Sequence, residues 1–154
     1  MSLELASHGV SVSYCAELVA GTRPTSGYTL IPSIKSIPDF NPAPNNLQTT
    51  DLSQTMFHTY ISGLRDLGGS MAFTANHTQA FMDTWGDIVQ EFEDNKTAGL
   101  ATWFVVIVPG LTESFYFQGE PAPLGLSAIE VDSVLEIDAY VAPTDVAGWQ
   151  TKPT

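Results

Sequence analysis

One cysteine, five basic residues and no long apolar run are the first things to note in these 154 residues, and each scarcity excludes a class of function. Cys15 has no partner for an internal disulfide, and its neighbours Val12, Tyr14 and Ala16 mark it as a half-buried strand thiol rather than a redox centre. Arg23, Lys35, Arg65, Lys96 and Lys152 are scattered among 17 acids, so no cationic groove exists to release counterions from phosphates. The most apolar stretch, Trp103 to Val108, is far below the roughly 20 residues that span a bilayer. Met1-Ser-Leu-Glu-Leu5 lacks the basic start and apolar core of a secretory signal, so neither a membrane partner nor export by that route is expected. Without that signal the sequons Asn76-His-Thr78 and Asn95-Lys-Thr97 carry no weight.

Catalytic signatures are missing as well. There is no Gly-x-Ser-x-Gly elbow, phosphate loop, dinucleotide fingerprint or His-Glu-x-x-His pair. His8, His58 and His77 lie far apart in the chain and lack zinc-ligand spacing with one another or with Cys15. Glu130 and Asp132 read as solvated acids on a turn, not as an acid and base pair. The expectation is no catalytic residue, no cofactor and no metal.

What the chain does contain points to a folded domain with a sparsely charged surface. Sixteen aromatic residues and a 44% apolar fraction supply core formers that disordered chains lack. A single domain over residues 1–154 is long enough to bury roughly 68–70% of its unfolded surface without disulfide or metal. Only 14% of residues are charged, against roughly 25% in an average protein. Ser and Thr, 29 together, outnumber the 22 charged residues, and the net charge is −12. Interface cores are depleted of charge in the same way.

Along the chain, Val10, Val12, Tyr14, Ala16 and Leu18 alternate with polar residues, the period of a strand with one buried face. A turn over 21–27 leads to a short strand at 28–31, and Ile31-Pro32 and Ile37-Pro38 then hold the backbone extended. Residues 39–59 show no lasting period and read as a long extended arm with apolar anchors at Leu52, Met56 and Phe57 and, just beyond, Tyr60-Ile61. Met71, Phe73 and Ala75 share one strand face. Phe81, Trp85, Ile88, Val89 and Phe92 recur on one stripe, which predicts a helix over about 78–94, capped by Asn76 or Thr78 and acidic on its other face. Trp103 to Val108 is a β-branched run suited to a strand covered on both sides, and Pro109-Gly110 turns it into a hairpin with 112–118. Residues 124–128 and 133–141 predict a last strand pair, with Leu135, Ile137, Ala139 and Val141 opposite Glu136, Asp138 and Tyr140. Residues 143–154 read as a C-terminal tail. The sum is mainly β: an antiparallel sandwich or barrel of about seven short strands with one flanking helix.

Between Leu30 and Gly69 the motifs acquire a family likeness. Ile31-Pro32-Ser-Ile-Lys-Ser-Ile37-Pro38-Asp39, an arm carrying Thr49-Thr50-Asp51-Leu52, and Tyr60-Ile61-Ser-Gly63-Leu64-Arg-Asp66-Leu-Gly68 resemble the tail tube (major tail) proteins of long-tailed, non-contractile bacteriophages. The order of the remaining elements is similar from Val10 to Pro143; the departure is at the C-terminus, where some relatives carry an extra immunoglobulin-like domain. The resemblance implies a β-sandwich-like subunit of which six copies close a ring. Rings stack into a hollow tube that conducts double-stranded DNA without specific binding, alongside tape measure, terminator and distal tail proteins. It places the protein in the virion tail, and in the host cytoplasm during assembly. Carried over, Thr50, Asp51, Leu52 and Phe57 would contact the adjacent ring, Tyr60, Gly63, Arg65 and Asp66 would shape the arm's return, and Glu136 and Asp138 become candidates for the lumen, with the outside face as the alternative. The competing expectation is a monomeric β-sandwich binding or adhesion module of a virion or cell surface, served by aromatics among Trp103, Phe115, Tyr116 and Trp149.

Overall fold

The computed structural model describes residues 8–53, 56–65 and 67–154. In chain order the elements are β1 (Ser11–Ala16), β2 (Thr29–Leu30), β3 (Ile34–Ser36), β4 (Pro44–Gln48), β5 (Tyr60–Arg65), β6 (Met71–Asn76), α1 (Gln79–Lys96), β7 (Thr102–Ile107), β8 (Glu113–Pro121) and β9 (Glu136–Thr151). Seven strands form one antiparallel sheet in the order β2-β1-β7-β8-β9-β6-β3, curled into half a barrel. The remaining two, β4 and β5, pair only with each other.

The uninterrupted apolar run of β7 follows from burial on two sides. On the concave side Phe104 stacks on Phe117 (ring centroids 5.3 Å apart) and meets Phe73 and Trp85. On the opposite side Trp103 and Val105 form a second cluster with Tyr116. Met71, Phe73 and Ala75 of β6 and Ile137, Ala139 and Val141 of β9 complete the main core, each by strict alternation along its strand.

Helix α1 closes that core. Thr78 caps it by accepting a hydrogen bond from the Phe81 N–H (3.2 Å), and Lys96 occupies the last turn, where a cation complements the exposed carbonyls. Phe81, Trp85, Ile88 and Phe92 are buried. Asp83, Asp87, Glu91, Glu93 and Asp94 lie exposed on the rest of its surface. The Trp85 indole N–H donates to the Ala122 carbonyl (2.8 Å) while the Ala122 N–H donates to Tyr140 (2.9 Å), so the helix also fixes the chain leaving β8.

The second face is covered by the connection from β1 to β2. Arg23 lies 4.2 Å from the Tyr116 ring centroid, and Tyr28 packs edge-on against the same ring. The Tyr28 hydroxyl donates to Pro24 (2.9 Å) and that of Tyr116 to Thr151 (2.7 Å). Burial pushes both hydroxyls above the usual tyrosine range, against the opposing pull of Arg23.

Several expectations change. Strand β1 ends at Ala16, so Leu18 stands 91% exposed, and Glu17 on the opposite side of the alternation is the buried one. Its carboxylate accepts from the Trp103 indole (2.8 Å), from Gly21 N–H (2.9 Å) and from Ala101 N–H (3.4 Å), tying the loop after β1 to the start of β7. Residues 124–128 form no strand: Pro121 and Pro123 remove donors on either side of Ala122, and both sides of β9 near Val141 are already taken by β6 and β8. Residues 143–151 are no tail, because β9 runs on to Thr151 paired with β8. Pro143 is accommodated where the register shifts between Gln118 and Gly119, a bulge at which its missing donor is not needed.

Candidate assembly surface

The segment without period is a β-hairpin. Pro44 pairs with Arg65 at its root and Gln48 with Tyr60 nearer its tip, so the arm covers 44–65 rather than 39–59. The ladder continues one step beyond β4, where the Thr49 N–H donates to the Thr59 carbonyl (2.7 Å). Thr50 Oγ1 then accepts from the Thr59 N–H (2.8 Å), and Asp51 Oδ1 accepts from the Ser53 N–H (2.9 Å) to form an Asx turn. Gly63 permits the close crossing of the strands, since a Cβ there would lie 3.0 Å from the Asn45 carbonyl oxygen and 3.3 Å from Leu47 Cγ. An isolated two-stranded hairpin is marginal in water, so this one depends on such local ties.

No strand residue of the arm is buried. Met56 is 82% and Phe57 76% exposed, Leu52 fully so, and Leu47, Tyr60, Ile61 and Leu64 are each more than half exposed. Grouped on one hairpin, these exposed apolar side chains make the arm a candidate interaction surface. The residues carried over from the family resemblance therefore divide. Thr50 and Asp51 bond inward and build the tip, whereas Leu52 and Phe57 leave most of their side chains in solvent. Tyr60 and Arg65 lie exposed on β5, and Gly63 sits at the crossing. Asp66 lies outside the described residues.

Glu136 and Asp138 stand on the outward face of β9, opposite buried Ile137 and Ala139. Glu136 pairs with Lys35 of β3, and Asp138 accepts from Thr74 Oγ1 of β6 (2.9 Å). Sequence reasoning missed a second apolar surface, the connection from β8 to β9, where Leu126, Ile129, Val131 and Val134 are exposed. Its signal was the number of aliphatic residues between Pro123 and the alternating run that starts at Leu135. Among the described residues no group of three His, Cys, Asp or Glu could hold a metal ion, and no helix is long and apolar enough to cross a membrane.

No known protein family and no curated protein matches the chain. Among solved structures it is similar to a chain in the cryo-EM structure of the anti-feeding prophage (AFP) baseplate, 6-fold symmetrised. The TM-score is 0.66 at 11% identity, covering 96% of this chain and 97% of that one. The likeness is one of fold, and it runs nearly end to end through both chains.

Proposed function

We propose that this chain is a structural subunit of a phage-type tail, six copies closing a ring and rings stacking into a hollow tail tube through which double-stranded DNA passes. The observation that carries this proposal is the near-complete fold likeness to a chain of a baseplate treated with sixfold symmetry. Three features of the chain support it. The half-barrel is left open between β2 and β3, edges of two and three residues, and ring closure protects such edges from adventitious pairing. The arm carries apolar surface that its own body does not cover. Charge is scarce, as suits surfaces that become interface, where desolvating an unpaired charge is costly.

The acid excess fits a conduit. Six copies at −12 each give a formal −72 per ring, a field that keeps a polyanion from adhering to a wall. Within this proposal Glu136 and Asp138 line the lumen, Asp138 with the larger share because Lys35 neutralises Glu136. The subunit works without catalysis, in the virion tail and beforehand in the host cytoplasm, beside tape measure, terminator and distal tail proteins. The alternative, a monomeric binding module, loses half of its aromatic platform, since Trp103 and Tyr116 are buried and only Phe115 and Trp149 remain at the surface.

Electron microscopy of the purified protein at rising concentration tests the proposal. Sixfold rings and tubes are the expected result. Particles that stay monomeric under all salt conditions would overturn it.

A further inference from the structure

Beside the root of the arm lies an apolar groove of about 410 Å³ whose lining includes Ile37, Phe40, Asn41, Met71, Phe115 and Trp149 and no charged residue. Phe40 packs against Phe115 and Phe117 (centroids 5.7 and 5.3 Å away), so the groove floor is continuous with the main core. One wall is the last third of β9. That strand pairs with β6 only as far as Val141, and on the side opposite β8 no described strand pairs with its continuation to Thr151.

We infer that this groove receives the arm tip of a second copy of the chain, with Leu52, Met56 and Phe57 seated against Phe40, Phe115 and Trp149. The inference rests on the assembly proposed above and names the surface that the arm meets. Two observations select the occupant. The first is charge: residues 44–65 contain one acid, Asp51, and one base, Arg65, so the arm is neutral in a chain of −12. A neutral segment suits an uncharged groove, where an unpaired carboxylate would be desolvated with no partner there to offset the cost. The second is geometry. Asn41 lines the groove and β4 starts three residues later, with Pro44 and Arg65 at the hairpin root and the apolar tip at its far end. Strands of this length reach roughly 17–20 Å, which carries the tip away from the chain's own groove and towards that of a neighbour. Such a contact is heterologous, one patch meeting a different patch, and it propagates into a ring or a stack.

Photo-crosslinking between labelled and unlabelled copies tests the inference directly. With Phe57 replaced by benzoylphenylalanine and the protein mixed with an isotope-labelled wild-type copy, crosslinks are expected on the labelled copy at the groove residues around Phe40, Asn41 and Trp149. Trp149→Glu should abolish those crosslinks and raise the concentration needed for assembly roughly thirtyfold, the loss typical of a central aromatic contact, and Asn41→Glu, which puts a carboxylate in the uncharged lining, should lower the crosslink yield and raise that concentration as well. Asn41 is exposed and Trp149 half-exposed, so circular dichroism and urea unfolding of each variant check that the fold is kept before assembly is compared. Crosslinks that land elsewhere, or only within one chain, in particles that still assemble would overturn the inference and leave the assembly proposal standing. Wild-type protein that never assembles would overturn both.

Discussion

The body and the arm of this chain are both made of antiparallel strands, yet they hold their apolar side chains in opposite ways. In the seven-stranded sheet and its helix, Phe73, Phe81, Trp85, Phe104 and Phe117 are almost wholly withdrawn from water. In the hairpin from Pro44 to Arg65, Leu47, Leu52, Phe57 and Leu64 stand in it. Apolar burial is the main favourable term in folding, so the body contains its own stability and the arm does not. The difference separates two properties that are often conflated: what the chain buries in order to fold, and what it leaves exposed for the assembly proposed above.

The largest effect should come from the body. Trp85 fills the space between helix and sheet, stacks on Phe81 and Phe104, and ties Ala122 through its indole N–H. Trp85→Ala should cost about 3–5 kcal/mol, measured by urea unfolding of the monomer. A cost near that of an exposed substitution would erase the distinction between body and arm. Next comes the buried carboxylate of Glu17. In Glu17→Gln one of its two oxygens becomes an NH₂ that cannot accept, so either the Trp103 indole or the Gly21 N–H loses its partner inside the fold. A loss of about 1–3 kcal/mol is expected by the same measurement, with the sheet intact by circular dichroism. An unchanged stability would mean that the loop after β1 belongs energetically with the arm.

The same contrast explains what could be seen in the sequence. Periodicity is a record of burial: it was legible wherever one face or stripe of an element is covered. Phe81, Trp85, Ile88 and Phe92 therefore mark α1, Met71, Phe73 and Ala75 mark β6, and the continuous run of β7 marks a strand covered twice. Both faces of β4 and β5 are exposed, so no alternation exists to reveal them, and the arm read as extended chain. Pro143 hid the continuation of β9 because a proline in a strand reads as an end unless a bulge takes it, and the bulge depends on β8 far away in the chain. Glu17 falls on the polar side of the β1 alternation yet is buried, for a related reason. Its side chain is buried by partners 84 and 86 residues distant, and no local pattern records them. At the candidate surface, the family resemblance pointed to the tip residues but not to the division of labour among them. Which side chains bond inward, as Thr50 and Asp51 do, is decided by hairpin geometry.

The smallest effect is also the most discriminating. Leu64 lies on β5, 87% exposed, with its apolar side chain in solvent in the monomer. Leu64→Ser removes that apolar surface without opening a cavity or orphaning a hydrogen bond, so the unfolding free energy of the monomer should change by less than about 0.5 kcal/mol. Assembly, followed by sedimentation velocity over a concentration series, should weaken nonetheless, because the surface lost is one that a neighbouring copy would cover. A substitution that leaves folding untouched and impairs association places the function of Leu64 outside its own chain. A monomer destabilised by more than about 1 kcal/mol would instead show that the arm packs on its own body in solution, and the two regions would no longer differ in kind.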